Sequence, residues 1–155
     1  MSKKTPGYWK AKRAILKAAK AELYGPPAPQ TAAYQRTFVI PLEEGLALIE
    51  KGKQIAKVEM YGVTLSIQSS GCRLLTFLKS LTCASCGAIG THFAAERRWH
   101  DKCGYHMNLW GKAADGSPLL FTHDHITPRS KGGINTVANS QTMCVTCNEH
   151  KGDSV

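Results

Sequence analysis

Two Cys-x2-Cys pairs constrain the fold of this chain more than any other feature of its sequence. Cys83 and Cys86 form the first pair, and Cys144 and Cys147 form the second. Two thiolates separated by two residues can point at one ion from a tight turn, and Gly87 relieves the first turn. Together the pairs supply the four soft ligands of a closed structural Zn²⁺ site. The sequence therefore predicts that the long segment between the pairs folds back so that both pairs meet at one zinc ion.

Redox chemistry and disulfide formation are the alternative uses of these cysteines. Cys83 and Cys86 do not lie in a recognisable βαβ pattern, which disfavours a redox role. Disulfides would suit a secreted protein, but the basic amino terminus lacks the apolar core of a signal peptide, and no apolar run approaches the length that spans a bilayer. We therefore expect a cytoplasmic protein without a membrane partner, in which Cys72 and Cys103 are free thiols.

The overall charge of the chain points to a polyanionic partner. The 155 residues include 20 Lys and Arg against 11 Asp and Glu, which gives a net charge of +9 with histidine neutral. A surplus of this size favours binding to nucleic acid. The length suffices for one domain of ordinary size with its own core.

The first 30 residues are predicted to form a basic helix and a linker. Apolar residues recur at helical spacing from Tyr8 to Tyr24, and Gly25-Pro26-Pro27 ends the run. The opposite face carries a stripe of cations that suits a phosphate backbone, although a merely solvated face is the alternative. These cations are Lys10, Arg13, Lys17 and Lys20.

Residues 31–80 are predicted to be a small α/β section that supports the rest of the chain. Thr37 to Ile40 reads as a strand, and Pro41 can open a helix that stops at Gly52. Strand-like alternation runs from Ile55 to Ile67 with a break at Gly62, and a helical apolar set runs from Arg73 to Leu81. A separate DNA-reading module is the alternative for this section.

Polar residues are concentrated after a predicted hairpin in residues 81–155. Strands at Tyr105–Trp110 and Leu119–His125 flank the turn signal Asp115-Gly116, so Asp124 and His125 stand at the far end of the hairpin. His123 shares a strand face with His125, and we expect it to contact substrate or the hairpin before it ligates a metal.

A short helix is predicted from Thr91 to His100, and it would carry Arg97 and Arg98 toward phosphates or leave them on an exposed face. His100, Cys103 and His106 do not complete a tetrahedral ligand set, so we do not expect a second zinc site there.

The segment from Thr122 to Asp153 resembles the HNH endonucleases, the ββα-metal nucleases, in particular the small enzymes of phages and mobile elements. With the pair Cys83-x2-Cys86 included, the resemblance covers about the last half of the chain. It implies an α+β protein in which residues 81–155 form a ββα nuclease domain held by the four-cysteine zinc site. The residues that carry it are Asp124-His125-Ile126, Pro128, Ser130, Gly132-Gly133, Asn139, Cys144-x2-Cys147, Asn148 and Lys151.

The resemblance also implies roles for four catalytic residues. His125 matches the histidine that deprotonates the attacking water, and Asn139 matches the residue that ties the loop to the first strand. Asp124 and Asn148 match the metal ligands, and their oxygen atoms suit Mg²⁺ or Mn²⁺. Asn148 stands where the family is named for a histidine, but other members also carry Asn there.

The implied substrate is double-stranded DNA, with Lys151, Lys131 or Arg129 available to bind phosphates. The resemblance leaves a homing role open. Two other functions are alternatives: a structure-specific junction resolvase, and a zinc DNA-binding module without catalysis. The second is disfavoured because binding alone gives no reason for Asp124, His125 and Asn148 to occur together.

Overall fold

A computed structural model describes residues 34–60, 62–98 and 104–154. The predicted basic helix and its four cations lie outside the described residues, as do His100 and Cys103. The described chain forms seven strands, three α-helices and one 3₁₀ turn. In chain order they are β1 (Tyr34–Pro41), α1 (Leu42–Glu50), β2 (Ile55–Met60), β3 (Val63–Gln68), α2 (Cys72–Lys79), β4 (Gly90–Arg98), β5 (Tyr105–Lys112), β6 (Pro118–His125), the 3₁₀ turn (Arg129–Lys131), β7 (Ser140–Cys144) and α3 (Val145–Lys151).

Local sequence signals explain the elements before residue 80. Pro41 caps the start of α1, as its fixed φ favours, and Gly52 follows the helix at φ 66°. Gly62 at φ 71° lies between β2 and β3, which pair as an antiparallel hairpin. The predicted strand at Thr37–Ile40 and the two predicted helices are therefore confirmed with changes of boundary, while the strand-like run from Ile55 to Ile67 is divided at its predicted break into two paired strands.

The helix predicted from Thr91 to His100 is wrong, because residues Gly90–Arg98 form strand β4. β4 lies between β1 and β5 in the sheet, and its centre from Phe93 to Glu96 is buried on both faces. A strand buried on both faces has no alternation of polar and apolar residues, so its Ala-Ala-Glu-Arg-Arg run resembles a helix former. Pairing on both edges outweighs that local preference.

The sheet branches at β5, and this branch positions the carboxy-terminal elements. The main path runs β1-β4-β5-β3-β2. β5 begins beside β3 in parallel register, with Tyr105 opposite Ile67, and ends antiparallel to β6, with Trp110 opposite Leu120. β6 then leaves β5 and pairs with β7. Strands from residues 31–80 and 81–155 thus belong to one sheet.

One face of this sheet carries the hydrophobic core beneath α1 and α2. Phe77 of α2 lies 6.3 Å from Phe93 of β4, measured between ring centroids. A Cβ atom at Gly45 would collide with the Phe93 ring, so this glycine lets α1 approach the sheet closely. Other fully buried core residues are Ile40, Ile49, Ile67, Met107, Leu109, Phe121 and Met143.

The opposite face carries a buried polar network centred on Glu96. The Glu96 side chain is 2% exposed and accepts a hydrogen bond from Arg36 Nε at 2.7 Å. Its second oxygen accepts from Asn108 Nδ2 at 2.7 Å and from Trp110 Nε1 at 3.1 Å. Arg36 also lies over the Trp110 ring at 4.8 Å. This network joins β1, β4 and β5, and burial of the carboxylate is tolerated because each oxygen is hydrogen-bonded.

Candidate active site and cysteine cluster

β6, β7 and α3 form a ββα unit at the carboxy-terminal end of the chain. β6 and β7 are antiparallel, with Asp124 opposite Gln141 and His125 opposite Ser140. Pro128 ends the extended backbone after β6, and Gly132 at φ 86° ends the 3₁₀ turn. The predicted strand ending at His125 is confirmed, and the loop that follows it contains the expected proline.

Asn139 ties this loop together. Its Oδ1 accepts a hydrogen bond from the Thr127 backbone N–H at 2.9 Å, and its Nδ2 donates to the backbone carbonyls of Thr127 and Ile134, both at 3.0 Å. The Asn139 backbone carbonyl also accepts from Ile126 N–H at 2.9 Å. One side chain thereby spans both ends of the loop and holds its start at the end of β6.

Asp124 is a buried carboxylate with a defined set of partners. The residue is 7% exposed. Its Oδ2 accepts a hydrogen bond from Gln141 Nε2 at 2.9 Å and lies 3.1 Å from Lys151 Nζ. Lys151 Nζ also donates to the His125 backbone carbonyl at 3.0 Å. The ammonium group therefore connects α3 to both Asp124 and His125.

His125 is half-buried beside a second histidine and an asparagine. Its Nε2 lies 3.3 Å from Asn135 Oδ1. The His123 and His125 rings are 5.4 Å apart between centroids, which agrees with their expected position on one face of β6. Burial lowers the pKa of His123, and the nearby positive charges of His125 and Arg73 lower it further.

Asn148 and Lys151 both lie on α3, one turn apart. Side chains three residues apart in a helix share a face. Because Lys151 contacts Asp124, Asn148 belongs to the face of α3 that is turned toward the end of β6.

The four predicted zinc ligands come together in one cluster. The Sγ atoms of Cys83, Cys86, Cys144 and Cys147 all lie within 4.8 Å of one another. A tetrahedral ion with Zn–S bonds of about 2.3 Å separates its sulfurs by roughly 3.8 Å, and the Cys86 and Cys144 sulfurs are 3.9 Å apart. The cluster therefore has the size of a four-thiolate metal site.

Backbone contacts hold the first cysteine pair against the second. Ala84 N–H donates to the Thr142 carbonyl of β7 at 2.9 Å, and Cys144 N–H donates to Cys83 Sγ at 3.3 Å. Burial opposes ionisation of Cys83, yet backbone N–H donors from Cys86, Cys144 and Ser85 outweigh it and lower the pKa of the Cys83 thiol to about 6. Burial raises the pKa of Cys144 to about 12.

A comparison with known protein families shows what this ββα unit is similar to. A family model described as HNH endonuclease matches residues 118–155. Residues 118–155, called here the HNH segment, are therefore similar to HNH endonucleases. The match covers β6, the loop, β7 and α3, and it includes Cys144 and Cys147 but not Cys83 and Cys86. No curated protein and no solved structure matches the chain.

The 3₁₀ turn of the HNH segment carries two predicted phosphate-binding cations. Arg129 and Lys131 lie on the 3₁₀ turn, and both are exposed. Arg97 and Arg98 are also exposed, but they lie on β4 and not on a helix. Arg97 donates to Gln35 Oε1 at 3.0 Å, and Arg98 lies 5.8 Å from the centre of the Tyr34 ring.

Sequence reasoning missed Gln141 and Asn135, which contact the two central residues of the HNH segment. Gln141 reaches Asp124 because the β6–β7 register places them opposite each other. Asn135 reaches His125 because the loop folds back under the hydrogen bonds of Asn139. Neither residue stands in a recognisable motif, and only knowledge of the strand register would have indicated Gln141.

The described residues include no helix that is long and apolar enough to cross a membrane.

Proposed function

We propose that this protein is a metal-dependent HNH endonuclease that hydrolyses phosphodiester bonds of double-stranded DNA. The main support is that Asp124, His125 and one face of α3 lie together. Lys151 Nζ of α3 contacts both Asp124 and His125. A general base, an oxygen ligand and a cation at one point are what phosphodiester hydrolysis requires.

His125 is the proposed general base. Asn135 Oδ1 can only accept a hydrogen bond, so its contact with His125 favours the tautomer that carries its proton on Nε2. The Nδ1 lone pair is then available to take a proton from water. The water oxygen forms the new bond to phosphorus, and the bond from phosphorus to the 3′ oxygen breaks. Asn139 acts as a positioning residue because it holds the loop that carries Asn135.

Asp124 and Asn148 are the proposed ligands of a catalytic Mg²⁺ or Mn²⁺. Both offer hard oxygen atoms, which these cations prefer. Asp124 supplies a buried carboxylate at this point, and the cation would have to displace Lys151 Nζ, which lies 3.1 Å from Oδ2. A bound divalent cation would supply charge neutralisation at the phosphate and at the leaving oxygen.

The cysteine cluster is the proposed structural zinc site. Cys83 already accepts several N–H donors, whereas burial opposes ionisation of Cys144. All four groups can be thiolates together only if a cation balances their charge. The site would join the segment before β4 to the HNH segment, and its lack of an open ligand position fits a structural role.

Phosphate contacts are proposed for two groups of cations in addition to Lys151. Arg129 and Lys131 are exposed on the 3₁₀ turn, four and six residues after His125 in the chain, and would bind a phosphate near the cut. Arg97, Arg98 and the basic stripe near the amino terminus would bind the duplex more distantly. The stripe consists of Lys10, Arg13, Lys17 and Lys20.

The test is cleavage of supercoiled plasmid with Mg²⁺ or Mn²⁺. His125→Ala should abolish cleavage while leaving the melting temperature and zinc content unchanged, because water loses its base and the cysteine cluster is untouched. His150→Ala is the matched control, since His150 is exposed on α3 and should cut like the wild type. Comparable turnover by His125→Ala would refute the assignment, and preference for branched over linear duplex would identify a junction resolvase.

A further inference from the structure

A pocket opens where the sheet branches, between the start of β5, the end of β3 and the first turn of α2. Its volume is about 290 Å³, compared with roughly 30 Å³ for one water molecule in the liquid. It therefore has room for a phosphate group with part of a nucleotide, but not for a duplex. Its polar lining residues are Gln68, Ser70, Arg73, His106, His123 and Asn135.

This pocket adjoins the proposed active site. Asn135 lines the pocket and also contacts His125 Nε2 at 3.3 Å. His123 lines the pocket, and its ring lies 5.4 Å from the ring of His125. The two sites thus share a wall, so a strand whose scissile phosphate lies at His125 can place a neighbouring phosphate in the pocket.

The lining has the chemistry of an anion site. None of the described residues that line it carries a carboxylate. Arg73 is held in place by hydrogen bonds from Nη1 to Asn108 Oδ1 and from Nη2 to the Met107 carbonyl, both at 3.0 Å. These bonds use two of the five N–H groups of a guanidinium.

The charge of Arg73 is not cancelled within the protein interior. Asn108 connects Arg73 to Glu96, but the Glu96 carboxylate is already paired with Arg36 at 2.7 Å. The first turn of α2 contains no acidic residue, and the positive end of the helix dipole adds to the field in the pocket. Two cations thus share one buried carboxylate, and the surplus positive charge lies beside the pocket.

His123 forms part of the wall that the pocket shares with the proposed active site. Its Nδ1 atom is buried and has no hydrogen-bond partner among the described residues. Buried polar atoms are almost always partnered, and exceptions tend to mark functional positions.

A nucleobase is a poorer occupant of the pocket than a phosphate, because flipped bases are usually held between aromatic or apolar walls and the wall of this pocket is mostly polar.

We propose that this pocket binds the DNA phosphate next to the scissile one and so sets the register of the strand at His125. The proposal rests on the proposed nuclease function, and it identifies Arg73, Gln68 and Ser70 as residues that recognise the flanking phosphate. Two phosphates held at a fixed separation would align the strand before any base is read.

The probe is thymidine 3′,5′-bisphosphate, which carries two phosphates one nucleotide apart and has no phosphodiester bond to cut. Calorimetric titration in Mg²⁺ should show that it binds about tenfold or more tightly than either thymidine 3′- or 5′-monophosphate, as expected for an added charge-assisted contact. Equal affinity of all three compounds would overturn the proposal.

Gln68→Glu tests whether the added contact lies in the pocket. The variant keeps the shape of Gln68 but introduces a negative charge, so it should remove most of the bisphosphate advantage. Thr64→Glu is the control, because Thr64 is exposed on the same face of β3 and lies about 13 Å along the strand, beyond the Debye length. It should change the affinity less than about twofold. Equal losses in both variants would contradict the proposal.

A second variant and a second readout keep the result interpretable. If Gln68→Glu fails to fold, Ser70→Glu places the same charge on another lining residue. The bisphosphate titration does not depend on turnover, and plasmid cleavage by the wild type is measured separately. A bisphosphate advantage without cleavage would refute the nuclease function alone, whereas cleavage without that advantage would refute the pocket alone.

Discussion

Lys151 lies between the two residues on which the proposed chemistry depends. Its ammonium group is 3.1 Å from Asp124 Oδ2 and donates to the His125 carbonyl, and both side chains of the ion pair are largely buried. In this arrangement Lys151 occupies the carboxylate that a catalytic cation would also bind. Lys151 therefore neutralises Asp124 without metal, and it would compete with the proposed catalytic cation for this carboxylate.

Lys151→Ala should make the protein more dependent on the catalytic cation. Without metal, loss of the amine leaves a nearly buried carboxylate that only Gln141 still bonds, and this should destabilise the fold by about 2 kcal/mol. Added Mg²⁺ should raise the melting temperature of the variant more than that of the wild type. Differential scanning calorimetry with and without Mg²⁺ measures both effects. Lys131→Ala, which removes an exposed cation nearby, should respond like the wild type, and an equal Mg²⁺ response in Lys151→Ala would count against metal at Asp124.

At the scale of elements, the cysteine cluster joins two parts of the chain that are far apart in sequence. Cys83 and Cys86 lie in the turn before β4, while Cys144 and Cys147 lie at the junction of β7 and α3. The carboxyl end of β7 is thereby held against the first cysteine turn, and α3 follows directly from it. The position of α3, and with it Asn148 and Lys151, depends on this junction.

Cys83→Ser should release zinc and destabilise this junction. Structural zinc contributes roughly ten kcal/mol or more of apparent binding free energy in small zinc domains, so a lost ligand should lower the melting temperature strongly. Elemental analysis should find one zinc per chain in the wild type and much less in the variant. Cys72→Ser is the matched control, because Cys72 lies outside the cluster and contacts Ser140. Zinc-free wild type, or a Cys83→Ser variant that melts normally, would refute the site.

At the scale of the whole molecule, the net charge of +9 matters through the positions of the cations that produce it. Arg129 and Lys131 lie on the 3₁₀ turn after β6, and Arg97 and Arg98 lie at the end of β4. The basic stripe near the amino terminus supplies four further cations from outside the described residues. Its contribution to DNA binding stays a prediction that salt dependence can measure.

Replacing Lys10, Arg13, Lys17 and Lys20 with Gln should weaken DNA binding most at low salt. Each lost phosphate contact should reduce the slope of log affinity against log salt by about 0.9. The measurement is titration of labelled duplex at several salt concentrations, in the His125→Ala background so that the DNA is not cut. A matched set, Lys51, Lys53, Lys57 and Lys112 to Gln, removes four exposed lysines elsewhere. Equal slopes for the two sets would mean that the stripe has no special contact with DNA.

The sequence by itself determined the features that depend on local spacing and turn chemistry. The Asp115-Gly116 turn, the strand that ends at His125 and the two Cys-x2-Cys turns follow from residues that are close together in the chain. The HNH segment was recognisable because its defining residues also lie within a short stretch. Such signals survive in the sequence because few conformations of a short segment satisfy them.

Only the tertiary structure decided which distant residues meet. β4 is a strand because β1 and β5 pair with both its edges, although its local sequence favours a helix. Lys151 reaches Asp124, and Arg73 lines a pocket beside His123, because strand register and the branch at β5 bring them together. These contacts arise from pairing and packing between segments far apart in sequence, and local residue preferences carry no information about them.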